Sequence, residues 1–281
     1  MRKKIVLIIT FLSIFSFLYG QEERGKFYSG LGFGYKQSYN NLLFPYAFSG
    51  LDFTLNLEWQ TINENRWMSD INILFHYSSL HTSTSAVKIK QFNPTQQSIG
   101  AAIGYQRLKE IKSLSNDNFS FFVGGNLNSQ VDYQISYTME EGGADVSGIS
   151  SGGMFLLLDF SLGLSLYAEY KIGKVRISDN LTTLLFAGMF YPYYGGHADP
   201  FFSTGSAGDY FTTATIGKLN RITNSLKVEF PFIIKGKVLN TFYLGYNFSY
   251  EYSTVRDNKI EDIGHAILFG MVFKLSKLAY N

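Results

Sequence analysis

The sequence predicts an all-β protein: a closed, antiparallel transmembrane β-barrel of about ten strands in up-and-down meander order. Three observations predict it. Ten segments alternate apolar and polar residues with a period of two. Aromatic residues collect at both ends of these segments, and the connections between segments alternate in length. The composition agrees, because only 16% of the residues are charged, against about 25% in average proteins.

The first twenty residues are predicted to be a secretory signal peptide, which leaves residues 21–281 as the barrel domain. Three basic residues at 2–4 precede an apolar run at 5–18, and Gly20–Gln21 offers a cleavage point. The run is shorter than the ~20 residues that a membrane helix needs, which disfavours an anchor helix. The chain has no cysteine, so neither a lipid anchor at residue 21 nor a disulfide framework is expected.

The clearest stripe is the second along the chain. Its apolar face carries residues 51, 53, 55, 57 and 59, and these alternate with the polar residues Asp52, Thr54, Asn56 and Glu58. One face is apolar and the other polar throughout, which is typical of a strand between lipid and a polar lumen.

The other stripes repeat this pattern in chain order. The first four apolar faces are Phe27, Leu31, Phe33 and Tyr35; Leu51 to Trp59; Trp67, Ile71, Ile73, Phe75 and Tyr77; and Ile99, Ala101, Ile103 and Tyr105. The next three are Phe119, Phe121, Val123, Leu127, Val131 and Tyr133; Leu158, Phe160, Leu162, Leu164, Leu166 and Tyr170; and Leu181, Leu185, Ala187, Met189 and Tyr191. The last three are Ile222, Leu226, Val228 and Phe230; Phe242, Leu244, Tyr246, Phe248, Tyr250 and Tyr252; and Ile267, Phe269, Met271 and Phe273.

The seventh stripe is the weakest, because its expected inward face also carries Leu184, Phe186 and Phe190. The stripes are free of charge over about nine to eleven residues, the length that a tilted membrane strand needs. A soluble β-sandwich or lipocalin-like barrel would also alternate, but it would not need such uncharged stripes. The membrane barrel is therefore the preferred interpretation.

Girdles and connections predict the orientation in the membrane. One girdle is formed by Trp59, Trp67, Tyr105 and Tyr170. The shorter connections, at 60–66, 108–118, 172–180 and 231–240, fall at the same end as this girdle. The generally longer connections, at 36–49, 78–96, 136–155, 192–221 and 253–264, fall at the other end. Barrels of the outer membrane have short periplasmic turns, so both termini are predicted to be periplasmic.

Charged residues in phase with the polar faces predict a network inside a narrow lumen. Its members are Asp52, Glu58, Asp70, Asp159, Glu169, Lys227, Glu229, Glu251 and Lys274. Many of them fall toward the periplasmic half. The preferred interpretation is a salt-bridged plug that satisfies buried charge. A narrow, cation-preferring channel is the alternative, because acids outnumber bases.

The exported N-terminus, the ten stripes and the final strand HAILFGMVFKL resemble the small outer-membrane β-barrel proteins of Gram-negative bacteria. The resemblance covers the whole mature chain and implies location in the outer membrane. Its expected partners are outer-membrane lipid, the barrel insertion machinery and other envelope proteins; nucleic acid is not expected. Barrels of this kind usually end on an aromatic insertion signal, whereas here the signal is either Phe273 or Tyr280.

Catalytic candidates are few: His76, His81, His197 and Asp199. Ten-stranded omptin proteases resemble this chain in strand count and in acidic and histidine residues on the outer loops. Those enzymes use paired aspartates facing an Asp/His pair. Here the pair reads His197-Ala-Asp199, in reverse order, and the second outer loop has no aspartate, so the activity is not carried over. Outer-membrane lipid A deacylases and phospholipases use His and Ser near the lipid interface, which His81 with a nearby Ser matches weakly.

The fourth outer loop is rich in aromatic residues: Tyr193, Tyr194, Phe201, Phe202, Tyr210 and Phe211. Such rings among small polar residues suit recognition of a protein or carbohydrate, although they also suit a loop folded over the barrel mouth. No metal or cofactor motif is present. The expected function is a non-enzymatic structural, recognition or envelope-accessory protein. The alternatives are a hydrolase of lipid A or peptide at the outer rim, and a narrow channel.

Overall fold

The computed structural model describes residues 24–40, 47–82, 92–140, 154–190, 193–194, 211–234, 237–255 and 258–275. The predicted signal peptide at 1–20 lies outside this range. The first six strands are β1 (Arg24–Asn40), β2 (Ala47–Ile62), β3 (Trp67–Thr82), β4 (Phe92–Glu110), β5 (Phe119–Glu140) and β6 (Met154–Ile172). The others are β7 (Val175–Phe190), β8 (Tyr193–Tyr194), β9 (Phe211–Thr215), β10 (Leu219–Ile234), β11 (Lys237–Val255) and β12 (Asn258–Leu275).

Ten of these strands form a closed antiparallel barrel, which confirms the predicted fold class. Each long strand pairs with the next long strand in the chain, and β1 closes the ring on β12 from Gly25↔Leu275 to Asn40↔Ile260. The two short strands extend this ring at one end: β8 pairs with β6, and β9 pairs with β7. Closure gives the backbone of every long strand a partner on both sides, as hydrocarbon surroundings require.

The period-two pattern sorts side chains as predicted. The apolar faces of the stripes point outward; Leu31, Phe33 and Ile267, for example, are 60 to 65% exposed. Alternate residues point into the lumen and are largely buried, among them Tyr28, Glu58 and Asp70. The sequence therefore encodes the inside and the outside of the barrel strand by strand.

The two barrel ends differ in their connections. At the turn end, the strands are joined by residues 63–66, 111–118, 173–174 and 235–236. At the loop end, the gaps between barrel strands are 41–46, 83–91, 141–153, 191–210 and 256–257, which agrees with the predicted alternation except at 256–257. That connection was predicted to span 253–264, but β11 and β12 continue pairing to Val255↔Asn258. The strands are 16 to 22 residues long, so their ladders extend beyond the apolar band toward the loop end.

The predicted phase of the seventh stripe is correct through Leu185, which is exposed, and wrong beyond it. Leu162 of β6 pairs with Phe186 and Gly163 pairs with Leu184, so Leu185 has no partner on β6. This β-bulge shifts the alternation by one residue. As a result Ala187 and Met189, which were predicted to face lipid, point inward and are fully buried.

The same wall has a second irregularity on its other side. Thr215 of β9 pairs with Phe186 and Ile222 of β10 pairs with Thr183, so residues 216–221 lie opposite only two residues of β7. Gly217 adopts a positive φ of 100° in the turn that takes up the extra chain. Inward apolar side chains pack behind this irregular wall: Leu157, Leu184, Ala187, Met189, Ala214, Leu219 and Ile260.

Within the described residues, no helix is long and apolar enough to cross a membrane.

Candidate functional site

The candidate site is the barrel lumen, which collects most of the charged residues of the described strands. Of the nine residues predicted for its polar network, eight lie in the lumen: Asp52, Glu58, Asp70, Asp159, Glu169, Lys227, Glu229 and Glu251. Lys274 is exposed at the turn end. Sequence reasoning missed six further charged members: Lys26, Lys36, Asp132, Arg176, Arg221 and Asp262.

The missed residues follow the same alternation as the predicted ones. Lys36 and Asp262 were assigned to loops, because the predicted stripes stopped at the edge of the apolar band. Continuing the alternation of β1 two residues beyond Gly34 places Lys36 inside the barrel. Asp132 belongs to the polar face of the fifth stripe, between the outward residues Val131 and Tyr133. The alternation alone was therefore enough to place it in the lumen.

Aromatic and aliphatic side chains fill the lumen at the turn end. Tyr28 and Tyr243 meet edge to face with ring centroids 5.7 Å apart, and Phe122 and Tyr167 do so at 5.9 Å. The fully or nearly fully buried residues of this region are Tyr28, Met68, Leu108, Phe122, Tyr167, Tyr243, Leu268 and Val272. We call them, together with the ion pairs of Lys26 and Lys227 that lie beside them, the turn-end plug.

Ion pairs of the plug join strands that are not neighbours in the sheet. Lys26 Nζ of β1 lies 2.9 Å from Glu229 Oε1 of β10 and 3.4 Å from Glu169 Oε2 of β6. The Tyr28 hydroxyl donates a hydrogen bond of 2.7 Å to Glu229 and accepts one from Lys26. Arg176 approaches Glu169 from β7 at 3.5 Å. The contacts of Lys26 and Tyr28 cross the barrel axis, so they close the lumen as well as neutralise it, whereas Arg176 and Glu169 lie on neighbouring strands.

One further ion pair covers the plug on the side that faces the loop end. Lys227 of β10 donates to Glu58 of β2, and the Lys227 ammonium lies 4.7 Å from the centre of the Tyr28 ring. Both charged residues are less than 7% exposed. Because the Glu58 carboxylate accepts a hydrogen bond from the ammonium and the Tyr28 ring faces it, the burial of this charge is compensated.

A cavity of about 320 Å³ lies above the plug. Its upper wall holds Lys36, Asp52, His76, Asp132 and Asp262, from five different strands. Lys36 Nζ is 3.2 Å from Asp262 Oδ2 and 3.8 Å from Asp132 Oδ2. The ring nitrogens of His76 are 3.8 and 3.9 Å from Asp52 and Asp132, which is too far for hydrogen bonds.

Local sequence explains how the histidine fits this wall. His76 of β3 lies directly opposite Gly100 of β4, and a β-carbon at position 100 would collide with the imidazole ring. Gly100 therefore leaves the space that the ring occupies between the two aspartates.

The other charged cluster of this half is fully paired. Arg221 donates bidentate hydrogen bonds of 3.2 and 2.7 Å to Asp159 and a third of 2.8 Å to Glu251. It bridges β10 to β6 across the irregular wall of β7, and Arg221 and Asp159 are both less than 9% exposed. A planar guanidinium suits such a fork, because its donors are fixed in the geometry of a carboxylate.

The structure does not bring the catalytic candidates together. His76 points into the cavity, whereas His81, five residues further along β3, is exposed on the outer face. His197 and Asp199 lie outside the described residues. The nearest serines donate to carboxylates: Ser78 Oγ is 2.6 Å from Asp52 and Ser98 Oγ is 2.8 Å from Asp132. The upper wall therefore lacks a hydrogen-bonded Ser–His pair.

Other predicted positions lie outside the lumen. The girdle residues Trp59, Trp67, Tyr105 and Tyr170 all lie on outward positions near the turn end, where Arg107 and Lys109 stand over the Trp67 ring at 5.3 and 5.0 Å. Of the predicted recognition residues, Tyr193 and Tyr194 form β8 and Phe211 begins β9. Phe201, Phe202 and Tyr210 lie outside the described residues. Within the described part of the chain, no group of three or more His, Cys, Asp or Glu is placed to hold a metal ion.

No protein-family model and no curated protein matches this chain in sequence. Among solved structures, the barrel is similar to the outer membrane protease OmpT from Escherichia coli, with 7% identity and a TM-score of 0.56 over 90% of this chain and 97% of that chain. The translocator domain of the autotransporter NalP from Neisseria meningitidis overlaps at 6% identity and a TM-score of 0.41, over 90% of this chain and 88% of that one. At this identity the likeness to OmpT shows the fold alone, which is that of an outer-membrane β-barrel.

Proposed function

We propose that this chain is an integral outer-membrane protein with a blind barrel that does not conduct and that serves as a recognition or accessory component of the envelope. The turn-end plug carries this proposal. Eight bulky side chains and the ion pairs of Lys26 and Lys227 fill the lumen there. A barrel of this strand number has little spare width once large side chains point inward.

The surface of the barrel supports membrane insertion. Its outward apolar band is continuous around the ring, and polar residues replace it toward the loop end, where Gln37 follows Tyr35 and Ser79 follows Tyr77 on the outer face. Both ends of the described chain, Arg24 and Leu275, lie at the turn end. In the proposed orientation this end faces the periplasm and the loop end faces outward.

The observed site gives less support to the other two functions. A hydrolase needs a nucleophile aligned with its base, but Ser78 and Ser98 are oriented toward aspartates. A channel needs a continuous path, but Tyr28 and Tyr243 are at most 1% exposed where that path would run.

Planar-bilayer recording of the purified, refolded protein tests the proposal. We expect no stepwise conductance from the natural chain. The double variant Tyr28→Ala/Tyr243→Ala is expected to produce conductance steps, because it removes two rings from the plug. Tyr77→Ala, on the outward face, is the matched control and should remain silent. Reproducible unitary steps from the natural chain would overturn the proposal, whatever the variants do; the heat-dependent shift in gel migration verifies that each variant is folded.

Surface labelling tests the orientation separately. A tag inserted at Ser203 is expected to be labelled on intact cells, whereas a tag at Lys235 is expected to be protected until the outer membrane is opened. Labelling of the Lys235 tag on intact cells would invert the proposed orientation and leave the conductance result untouched.

A further inference from the structure

The cavity above the plug has a surplus of acidic groups. Six carboxylates line it, against the two cations Lys36 and Arg221. Glu58 is neutralised by Lys227, and Glu251 shares the single positive charge of Arg221 with Asp159. Four carboxylates remain: Asp52, Asp132 and Asp262, which surround Lys36, and Asp70, which lies lower in the cavity near the Lys227–Glu58 pair.

Several oxygens around the same cavity have no hydrogen-bond partner among the described residues. Gln106 donates to Asp70 Oδ2 at 2.7 Å, which leaves Gln106 Oε1 and Asp70 Oδ1 unpartnered. These two residues are only 7% and 2% exposed. Leaving such buried atoms unsatisfied is costly, so they indicate a place where a hydrogen-bonding molecule belongs.

Two more unpartnered oxygens face the cavity from the opposite wall. Asn180 of β7 and Asn247 of β11 both lie directly opposite Ser225 of β10, one on each side of it. The Oδ1 atom of each asparagine lacks a hydrogen-bond partner among the described residues. Amide oxygens only accept hydrogen bonds, so this wall offers two acceptors to a donor molecule in the cavity.

The acceptors are spread along the barrel axis. Asp70 and His76 both line the cavity and are six residues apart on β3, which corresponds to about 20 Å along the tilted strand. Within the described residues, acidic and histidine groups do not converge as metal ligands would. The chemistry therefore fits an elongated molecule with several donors, and the surplus of carboxylates favours a positively charged one.

We propose that this cavity binds a linear organic polyamine. One ammonium group donates hydrogen bonds to the carboxylates of the upper wall, Asp52, Asp132 and Asp262. A second reaches the lower acceptors at Asp70 and Gln106, while the chain between them lies against Asn180 and Asn247. Lys36 occupies part of the upper site in the free protein, so a bound ammonium competes with it. This inference goes beyond the proposed function and depends only on the folded barrel.

Calorimetric titration of the refolded full-length protein in detergent with spermidine tests the proposal. We expect saturable binding that weakens about tenfold in Asp52→Asn and in Asp262→Asn, the scale of one lost charge-assisted hydrogen bond. Lys36→Met is expected to tighten binding by about tenfold, because it removes the competing cation. An effect of that sign would not arise if the cluster served only to hold the strands together.

Glu261→Gln is the matched control, because Glu261 lies on the outward face of the same end of the barrel and pairs with Lys259 at 2.8 Å. It should bind spermidine as the natural chain does. The proposal is overturned by any of three results: no saturable binding, equal weakening by Glu261→Gln, or equally tight binding of the uncharged trisaccharide raffinose. None of these results bears on conductance, so failure here leaves the blind-barrel proposal standing.

Discussion

The two halves of the lumen treat buried charge in different ways. At the turn end, Lys26 and Lys227 each meet a carboxylate, and aromatic rings fill the space between the pairs. At the loop end, Lys36 stands among three aspartates beside an open cavity. The turn end resembles the packed core of a soluble protein, whereas the loop end resembles a binding pocket. We therefore expect stability to depend mainly on the turn end and the proposed ligand affinity on the loop end.

The irregular wall of β7 complicates this division. It places apolar side chains such as Leu184 and Met189 inside the loop-end half, next to the fully paired Arg221 cluster. That side of the loop end is therefore packed like the plug, and both of its carboxylates are held by Arg221. The wall formed by β1, β2, β3, β5 and β12, by contrast, combines open space with the acidic surplus around Lys36.

The largest effect on stability is expected from breaking the ion pair between Lys227 and Glu58, which covers the plug. Lys227→Met leaves Glu58 buried without its cation, which should lower the free energy of unfolding by about 3–5 kcal/mol. Urea unfolding of the refolded barrel measures it. Adding Glu58→Leu to that variant should restore most of the loss, because the pair is then replaced by apolar packing. If the double variant stayed as unstable as the single one, packing around Lys227 and not its charge would be responsible.

Alanine substitutions at two glycines should change the free energy of unfolding by less, and they distinguish the packed plug from the open cavity. A β-carbon at Gly30 would stand 2.8 Å from Tyr243 Cζ, so Gly30→Ala must displace a ring of the plug and should cost about 1–3 kcal/mol. A β-carbon at Gly104, which lines the cavity, finds its nearest neighbour at 3.5 Å, so Gly104→Ala should be neutral or slightly stabilising. The same unfolding experiment compares them. Equal costs at the two positions would contradict the distinction between plug and cavity.

The smallest effect is expected from neutralising the upper wall. Asp52→Asn keeps an oxygen that accepts from Ser78, and it removes charge from a region with an acidic surplus. We therefore expect its free energy of unfolding to stay within about 1 kcal/mol of the natural chain. A loss as large as that of Lys227→Met would show that the upper wall is a structural ion network, and it would remove the main contrast between the halves.

The strand pattern was predictable because alternation is a local property. Each stripe, such as Leu51 to Trp59, reports which residues face lipid without reference to any other strand. The same rule would have found Lys36 and Asp262, had the alternation been followed past the apolar band. The β-bulge at Leu185 was not predictable in this way, because its extra residue is visible only against the partner strand β6.

By itself, the sequence determined the fold class, the approximate strand number and the inward or outward direction of most side chains. It could do so because apolar and polar residues alternate with a period of two within each strand. Tertiary structure alone decided which charges meet. Lys26 and Glu229 are separated by 203 residues, and Lys227 and Glu58 by 169, yet they meet across the lumen. The closure of the barrel sets these distances, and no single strand contains that information. For the same reason, only the closed barrel divides one polar face into a neutral plug and an acidic cavity.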